Sequence, residues 1–158
     1  MRGVVLRKRG RRSPVTRNRN VELGTWLLAF VTHPAVLLAA GGGAGANARY
    51  WLGLYVRTLQ GEVAFPWATF AINASGSAIL GLVAAAFLNH PDESRKSWYL
   101  FLGTGFCGGF TTFSTFSLET LQLLRADRPV TAAVYVLGSV AAGLFGVWLA
   151  MRLAGGRA

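Results

Sequence analysis

Six acidic residues, two histidines and one cysteine are all that this 158-residue chain offers to the commoner kinds of protein chemistry. The single cysteine, Cys107, allows no disulfide within the chain. No G-x-x-x-x-G-K-[ST] loop occurs, so nothing in the sequence couples nucleotide hydrolysis to work. His33 and His90 each stand beside a proline at the border of an apolar stretch. Ser75-Gly76 is therefore left without a histidine at the depth that an intramembrane serine protease needs. No Asp or Glu lies inside the apolar stretches away from their ends, whereas a small multidrug exporter working by proton exchange needs such a carboxylate.

Charge as a whole is scarce, at 14% of residues against 53% apolar, which is lean for a soluble protein and points to a small integral membrane protein of one domain. Four apolar stretches stand out, over about 34–56, 67–88, 98–118 and 130–151, and the last three carry no charge. The short gaps between them hold most of the remaining charge together with Gly or Pro. The expected fold is all-α, with four transmembrane helices in a compact hairpin arrangement over 34–153. Trp67, Trp98, Tyr99 and Trp148 fall near the ends of these spans, where amphipathic rings anchor at the membrane interface.

Half of the sixteen basic residues sit in the first twenty positions, where there is no acid, so the rest of the chain carries only +2 of the net +10. Residues 1–33 are read as a disordered basic tail held against anionic headgroups, with no nucleic-acid role, and the positive-inside rule puts it in the cytoplasm. A cleaved targeting signal is the rival reading of residues 1–40, but His33-Pro34 interrupts the apolar run and no clean cleavage boundary follows. Residues 154–158 form a short C-terminal tail.

The third span contains the most informative run, Gly105-Phe106-Cys107-Gly108-Gly109-Phe110-Thr111-Thr112-Phe113-Ser114-Thr115-Phe116-Ser117. Gly108-Gly109 weakens helical geometry, and an unwound point at membrane depth is tolerated only beside protein, water or an ion. Past that break, Phe113 and Phe116 share one helix face while Ser114 and Ser117 share its neighbour. Ordinary helix packing accounts for each of these residues singly; the glycine pair followed at once by Thr-Thr tilts the reading toward an ion site.

Other spans supply candidate partners. Arg49 is the one cation inside a span and shares a face with Gly41 and Gly45; it either snorkels to the interface or caps a watery vestibule. Asn73 offers amide donors without net charge, suited to a small anion, or simply bonds helix to helix. Ser77, Gly81, Gly138, Ala142 and Gly146 mark close helix contacts. Tyr135 reaches either headgroups or a pore, and Glu119 closes the third span as a solvated helix end.

Three blocks in order, Gly42-Gly43-Ala44-Gly45-Ala46-Asn47-Ala48-Arg49-Tyr50, Asn73-Ala74-Ser75-Gly76 and the Gly105 to Phe116 run, make the chain resemble the Fluc-type (CrcB-type) fluoride channels. The third block is highly specific. The resemblance implies an antiparallel, dual-topology dimer of four-helix subunits in the cell membrane, with two pores along the interface that export fluoride passively and so relieve its toxicity. By position in the motif, the backbone oxygens of Gly108 and Thr111 would hold a structural sodium ion at the dimer centre. Phe113 and Phe116 would be an aromatic box presenting positive ring edges to the anion. Asn73 would add donors, Thr112, Ser114 and Thr115 hydroxyls near the path, and Arg49 attraction at an entrance; Tyr135 and Glu119 match polar positions near the pore. A small multidrug-type transporter or a non-catalytic membrane adaptor stands as the alternative, and no enzyme activity is expected.

Two features depart from that family pattern. Ala68 stands where a Gly is common. More consequential is the tail: without it and Arg49, basic residues count four on one side (Arg95, Lys96, Arg152, Arg157) against three on the other (Arg57, Arg125, Arg128), and the tail makes this twelve against three. Near balance suits insertion both ways, whereas the tail favours one orientation, and hence pairing with an oppositely oriented relative, unless it is too weak to stop dual insertion.

Overall fold

Glycine at four-residue spacing on one helix sets the closest packing in this molecule. The computed structural model describes residues 19–60, 65–88 and 92–155. It contains α1 (Arg19–Val31), α2 (Pro34–Gln60), α3 (Trp67–Val83) continued by a wide π turn π1 (Ala84–Leu88), α4 (Glu93–Trp98), π2 (Tyr99–Cys107), α5 (Gly108–Phe110), α6 (Phe113–Arg125) and α7 (Pro129–Leu153). Gly41 and Gly45 on α2 are buried against the backbone of π2 and α5. A Cβ at Gly45 would run into the Phe106 carbonyl, and one at Gly109 would run into that of Gly42. The face expected from Gly41, Gly45 and Arg49 is thus the face that α2 turns to the third segment.

Contacts between Gly41 and Phe101 and between Gly45 and Phe110 run in the same chain direction, so α2 and the third segment are parallel. The second tight pair, α3 with α7, is parallel too: Phe70 meets Gly138, Ser77 meets Gly143, and Gly81 meets Val147 and Ala150. Gly53 on α2 faces Ile72 on α3, whereas Gly45 and Gly76 both meet Phe110, so α2 and α3, and with them the two pairs, run in opposite senses. One end of the bundle therefore gathers the start of α2, the end of π1, α4 and the end of α7. The other gathers the end of α2, the start of α3, the end of α6 and the start of α7. Arg95, Lys96 and Arg152 fall at the first end and Arg57, Arg125 and Arg128 at the second, as the charge count assumed.

Trp67–Leu88 and Pro129–Leu153 are each long and apolar enough to cross a membrane, and a third such span exists if α1 and α2, bent by 53°, are taken together. The surface fits: Val130, Leu137, Leu144 and Phe145 of α7 are all exposed, while Tyr135 is the one large side chain fully buried among the described residues. In lipid such a surface has no driving force against it, and helix contacts rest on small residues instead.

Several expectations are corrected here. The glycine pair does not unwind: Gly108 keeps helical dihedrals of −64° and −38°, and the break falls at Thr111 (ψ 160°) and Thr112 (φ −149°, ψ 113°). Gly109 is needed for contact with α2, not for flexibility. The helix resumes past residue 118 as far as Arg125, so Glu119 lies inside α6 and closes no span. α2 likewise runs on to Gln60, leaving Arg49 well inside it. In the segment expected to be disordered, residues 19–31 are helical; residues 1–18, and 156–158 of the C-terminal tail, lie outside the described residues.

Because backbone sits where a side chain would go, Gly45→Ala should cost about 1–3 kcal/mol of stability in detergent unfolding. Gly43→Ala, whose added methyl meets nothing within 4 Å, should be neutral; equal effects of the two would remove the close-approach account.

Candidate functional site

The break in the third segment is built by side chains from two other helices. Asn73 on α3 accepts from the Thr112 N–H through Oδ1 at 2.8 Å and donates from Nδ2 to the Thr112 carbonyl at 3.1 Å. Its amide oxygen thereby replaces the helical bond that the Thr112 N–H cannot make, and its nitrogen adds a bond to the carbonyl of this N-cap residue. One Nδ2 hydrogen remains for another acceptor. Arg49 on α2 donates through Nη1 to the Thr111 carbonyl at 3.2 Å. It does not snorkel to the interface; it lines a 200 Å³ groove together with Arg57, Thr69, Thr112 and Thr115.

Thr112 then starts the next helix. Its Oγ1 accepts from the Thr115 N–H at 3.2 Å as an N-cap and donates to the Thr115 hydroxyl at 3.0 Å, with the Ser114 hydroxyl 3.4 Å away. α6 consequently begins at the break, with the positive end of its dipole and its first-turn N–H groups directed there. Phe113 stands at this end, 80% exposed, its ring 5.8 Å from that of Phe116. Phe116 packs in turn on Tyr135 at 5.0 Å.

Two backbone carbonyls are released by this arrangement. The N–H that would close a helical bond onto Gly108 is Thr112's, which goes to Asn73. The N–H that would close onto Thr111 is Thr115's, which goes to the Thr112 hydroxyl. Gly108 and Thr111 are the residues expected to ligate sodium, so the chemistry of the donor set fits a hard cation. The fit is qualified at Thr111, whose oxygen already faces the Arg49 guanidinium.

A second polar cluster lies deeper along α6. Glu119 accepts from Thr69 Oγ1 at 2.9 Å and from the Tyr135 hydroxyl at 2.7 Å, one bond to each carboxylate oxygen. Tyr135 therefore points inward, away from headgroups, and Glu119 is held by two donors where a solvated helix end was expected. An interior carboxylate thus exists, and the argument from its absence against a proton-coupled exporter falls.

Three grooves follow one another past these groups. A 490 Å³ groove beside Asn73, Ser77, Thr104, Gly108, Thr111 and Phe113 shares Thr112 with the Arg49 groove. That one shares Arg57 and Ala68 with a 330 Å³ groove lined by Gln60, Glu119, Gln122 and Arg128. Asn73, Gly108, Thr111, Thr112, Phe113, Arg49, Thr115 and Glu119 line these grooves, whereas Ser114, Phe116 and Tyr135 line none of them and touch lining residues instead. Thr69, Arg57, Gln60 and Arg128 were not singled out; Thr69 is four residues before Asn73, and that shared helix face was the available signal.

Comparison with known proteins agrees with this geometry. Residues 36–151 match the family described as CrcB-like protein, Camphor Resistance (CrcB). The chain is 47% identical over 118 residues to a "Fluoride-specific ion channel FluC 2" of Rhodococcus jostii, covering 75% of this chain and 96% of that protein. It is 43% identical over 122 residues to a "Fluoride-specific ion channel FluC" of Oceanobacillus iheyensis (75% and 89% covered), and 45% identical over 119 residues to a "Fluoride-specific ion channel FluC 2" of Bacillus subtilis (73% and 86%).

If Asn73 holds the break open, Asn73→Leu should leave the Thr112 N–H unpaired, costing about 1–3 kcal/mol. Exchange of the Thr112 amide hydrogen should then speed up by about tenfold for every 1.4 kcal/mol lost. Ser75→Ala, which removes only a bond to its own helix, is the control, and protection of Thr112 as in the parent would refute the clamp.

Proposed function

The chain belongs to the CrcB-like family, and from that premise we infer how this multi-pass cell-membrane protein, a fluoride channel and not an enzyme, moves its ion. The single observation that carries the reading is the break at Thr111-Thr112, where a helix N-terminus, hydroxyls and ring edges meet at one point among lipid-facing helices. Fluoride enters this site with its hydration replaced by the remaining Asn73 hydrogen, the Ser114 and Thr115 hydroxyls and the edges of Phe113 and Phe116. Their close spacing suits a small anion better than chloride.

Arg49, Arg57 and Arg128 along the connected grooves give the path a positive lining that draws anions without a covalent step. The Glu119 carboxylate lines the third groove with one hydroxyl bond on each oxygen, from Thr69 and Tyr135, so it does not meet the path as a bare charge. No residue here performs work on the ion, so flux follows the fluoride gradient.

Pairing completes the pore. The grooves are open along one side of the single chain and Phe113 is exposed beside them, which supports a second, antiparallel subunit closing each path. The carbonyls of Gly108 and Thr111 would hold a sodium ion between subunits, where it would bridge two breaks electrostatically and keep them in register. Arg49 shares the Thr111 oxygen and sets how strongly that site favours a cation. The channel region described by the spans is 34–153, with four crossings, the third interrupted.

Purified chain in liposomes should release trapped fluoride and not chloride, measured with ion-selective electrodes. Phe113→Ile should abolish release while dimers persist by size, and replacing sodium with N-methylglucamine should weaken both dimer and flux. Unchanged flux in Phe113→Ile would remove the aromatic box, and indifference to sodium would remove the ion site. For orientation, an added C-terminal cysteine should label from one face only if the basic tail fixes insertion; labelling from both faces would establish dual insertion.

A further inference from the structure

The helix α1 lies outside the part of the chain that matches the family, and the pore makes no use of it. From Leu23 onward its large apolar side chains are all exposed: Leu23, Trp26, Leu27 and Phe30 by between 64% and 75%. These four fall at i, i+3, i+4 and i+7, a single stripe, while Gly24, Thr25 and Ala29 with one leucine make up the other side. Among the described residues nothing covers this stripe.

Position decides what it meets. Only Thr32 and His33 separate α1 from α2, and the two axes are bent by 53°. α2, with 27 residues, is about 40 Å long, which by length exceeds a hydrocarbon core of about 30 Å. α1 is therefore placed at the membrane boundary, turned away from the line of its neighbour. It leaves the bundle at the end that carries Arg95, Lys96 and Arg152, and eight basic residues precede or open it.

We propose that α1 is an interfacial anchor, lying along an anionic leaflet with the Leu23, Trp26, Leu27 and Phe30 stripe bedded in the headgroup layer, the leaflet's negative charge being what the basic character of the preceding sequence favours. The chemistry is that of an amphipathic helix joined to a polybasic segment, two weak signals that act together. Because the anchor prefers one leaflet, it holds the channel subunit in one orientation. The proposal rests on the chain being a membrane protein and not on which ion it conducts.

A nitroxide scan tests it in the full chain, one substitution to Cys at a time at Leu23, Thr25, Trp26, Leu27, Ala29 and Phe30. Cys107 is only 2% exposed, so a water-soluble reagent labels the new thiol selectively. In vesicles of phosphatidylcholine with added phosphatidylglycerol, collision with oxygen relative to an aqueous nickel chelate should peak at 23, 26, 27 and 30. It should dip at 25 and 29, with the peaks about 5–10 Å below the phosphates. Vesicles without phosphatidylglycerol, or a chain with the eight basic residues changed to Gln, should lose most of that contrast. A ratio rising steadily from 23 to 30 would make α1 a continuation of the span. Uniform contact with the nickel chelate would place it in water, and dipolar broadening between labels at 26 would put a second copy on the stripe. Each of these three overturns the proposal, and a pattern indifferent to lipid charge overturns its electrostatic half; none depends on measuring fluoride flux.

Discussion

Backbone groups at membrane depth must find partners inside the protein, and the architecture follows from how that demand is met at Thr111 and Thr112. Ending a helix halfway across leaves N–H and C=O groups exposed that lipid cannot satisfy. Asn73 supplies a donor and an acceptor in one flat group, Arg49 covers the Thr111 carbonyl, and the Thr112 hydroxyl caps what comes next. α2 and α3 are held beside the break because each contributes one of these side chains. The glycine face of α2 then sets how near it can come.

The same device that makes the break tolerable makes it chemically useful. Diverting the Thr112 and Thr115 N–H groups takes the helical partners from the Gly108 and Thr111 carbonyls, the second of which accepts from Arg49 instead, and starting α6 at that point brings a positive helix end to the middle of the fold. Backbone carbonyl oxygens without helical partners and the N–H groups of a helix start come within a few residues of each other from one local decision. Farther along α6 the Thr69, Glu119 and Tyr135 cluster repeats the theme, with each carboxylate oxygen matched by one hydroxyl.

Much of this was legible beforehand because composition and helical spacing act locally. Apolar runs located the helical stretches Trp67–Leu88 and Pro129–Leu153 to within one or two residues, and the four-residue spacing of Gly41, Gly45 and Arg49 put them on one face, which the structure turns to the third segment. The run around Gly108 announced a break, yet its place was misjudged. Glycine propensity pointed to Gly108-Gly109, whereas close contact with α2 keeps that pair helical and the competing bonds from Asn73 select Thr111-Thr112. Glu119 was misread for a related reason: charge at the end of an apolar run looks like a boundary until its partners, 50 and 16 residues away in sequence, are seen.

By itself the sequence determined that this is a membrane protein, which stretches are greasy enough to be spans, where positive charge accumulates and which run carries the polar chemistry, since each depends on neighbours along the chain. Only the tertiary structure decided which backbone groups lose their helical partners, that Asn73 and Arg49 spend hydrogen bonds on the chain itself, and that α1 is a helix with an uncovered stripe. Those outcomes depend on which groups from distant segments come within hydrogen-bonding reach, and proximity of that kind is a property of the packed helices.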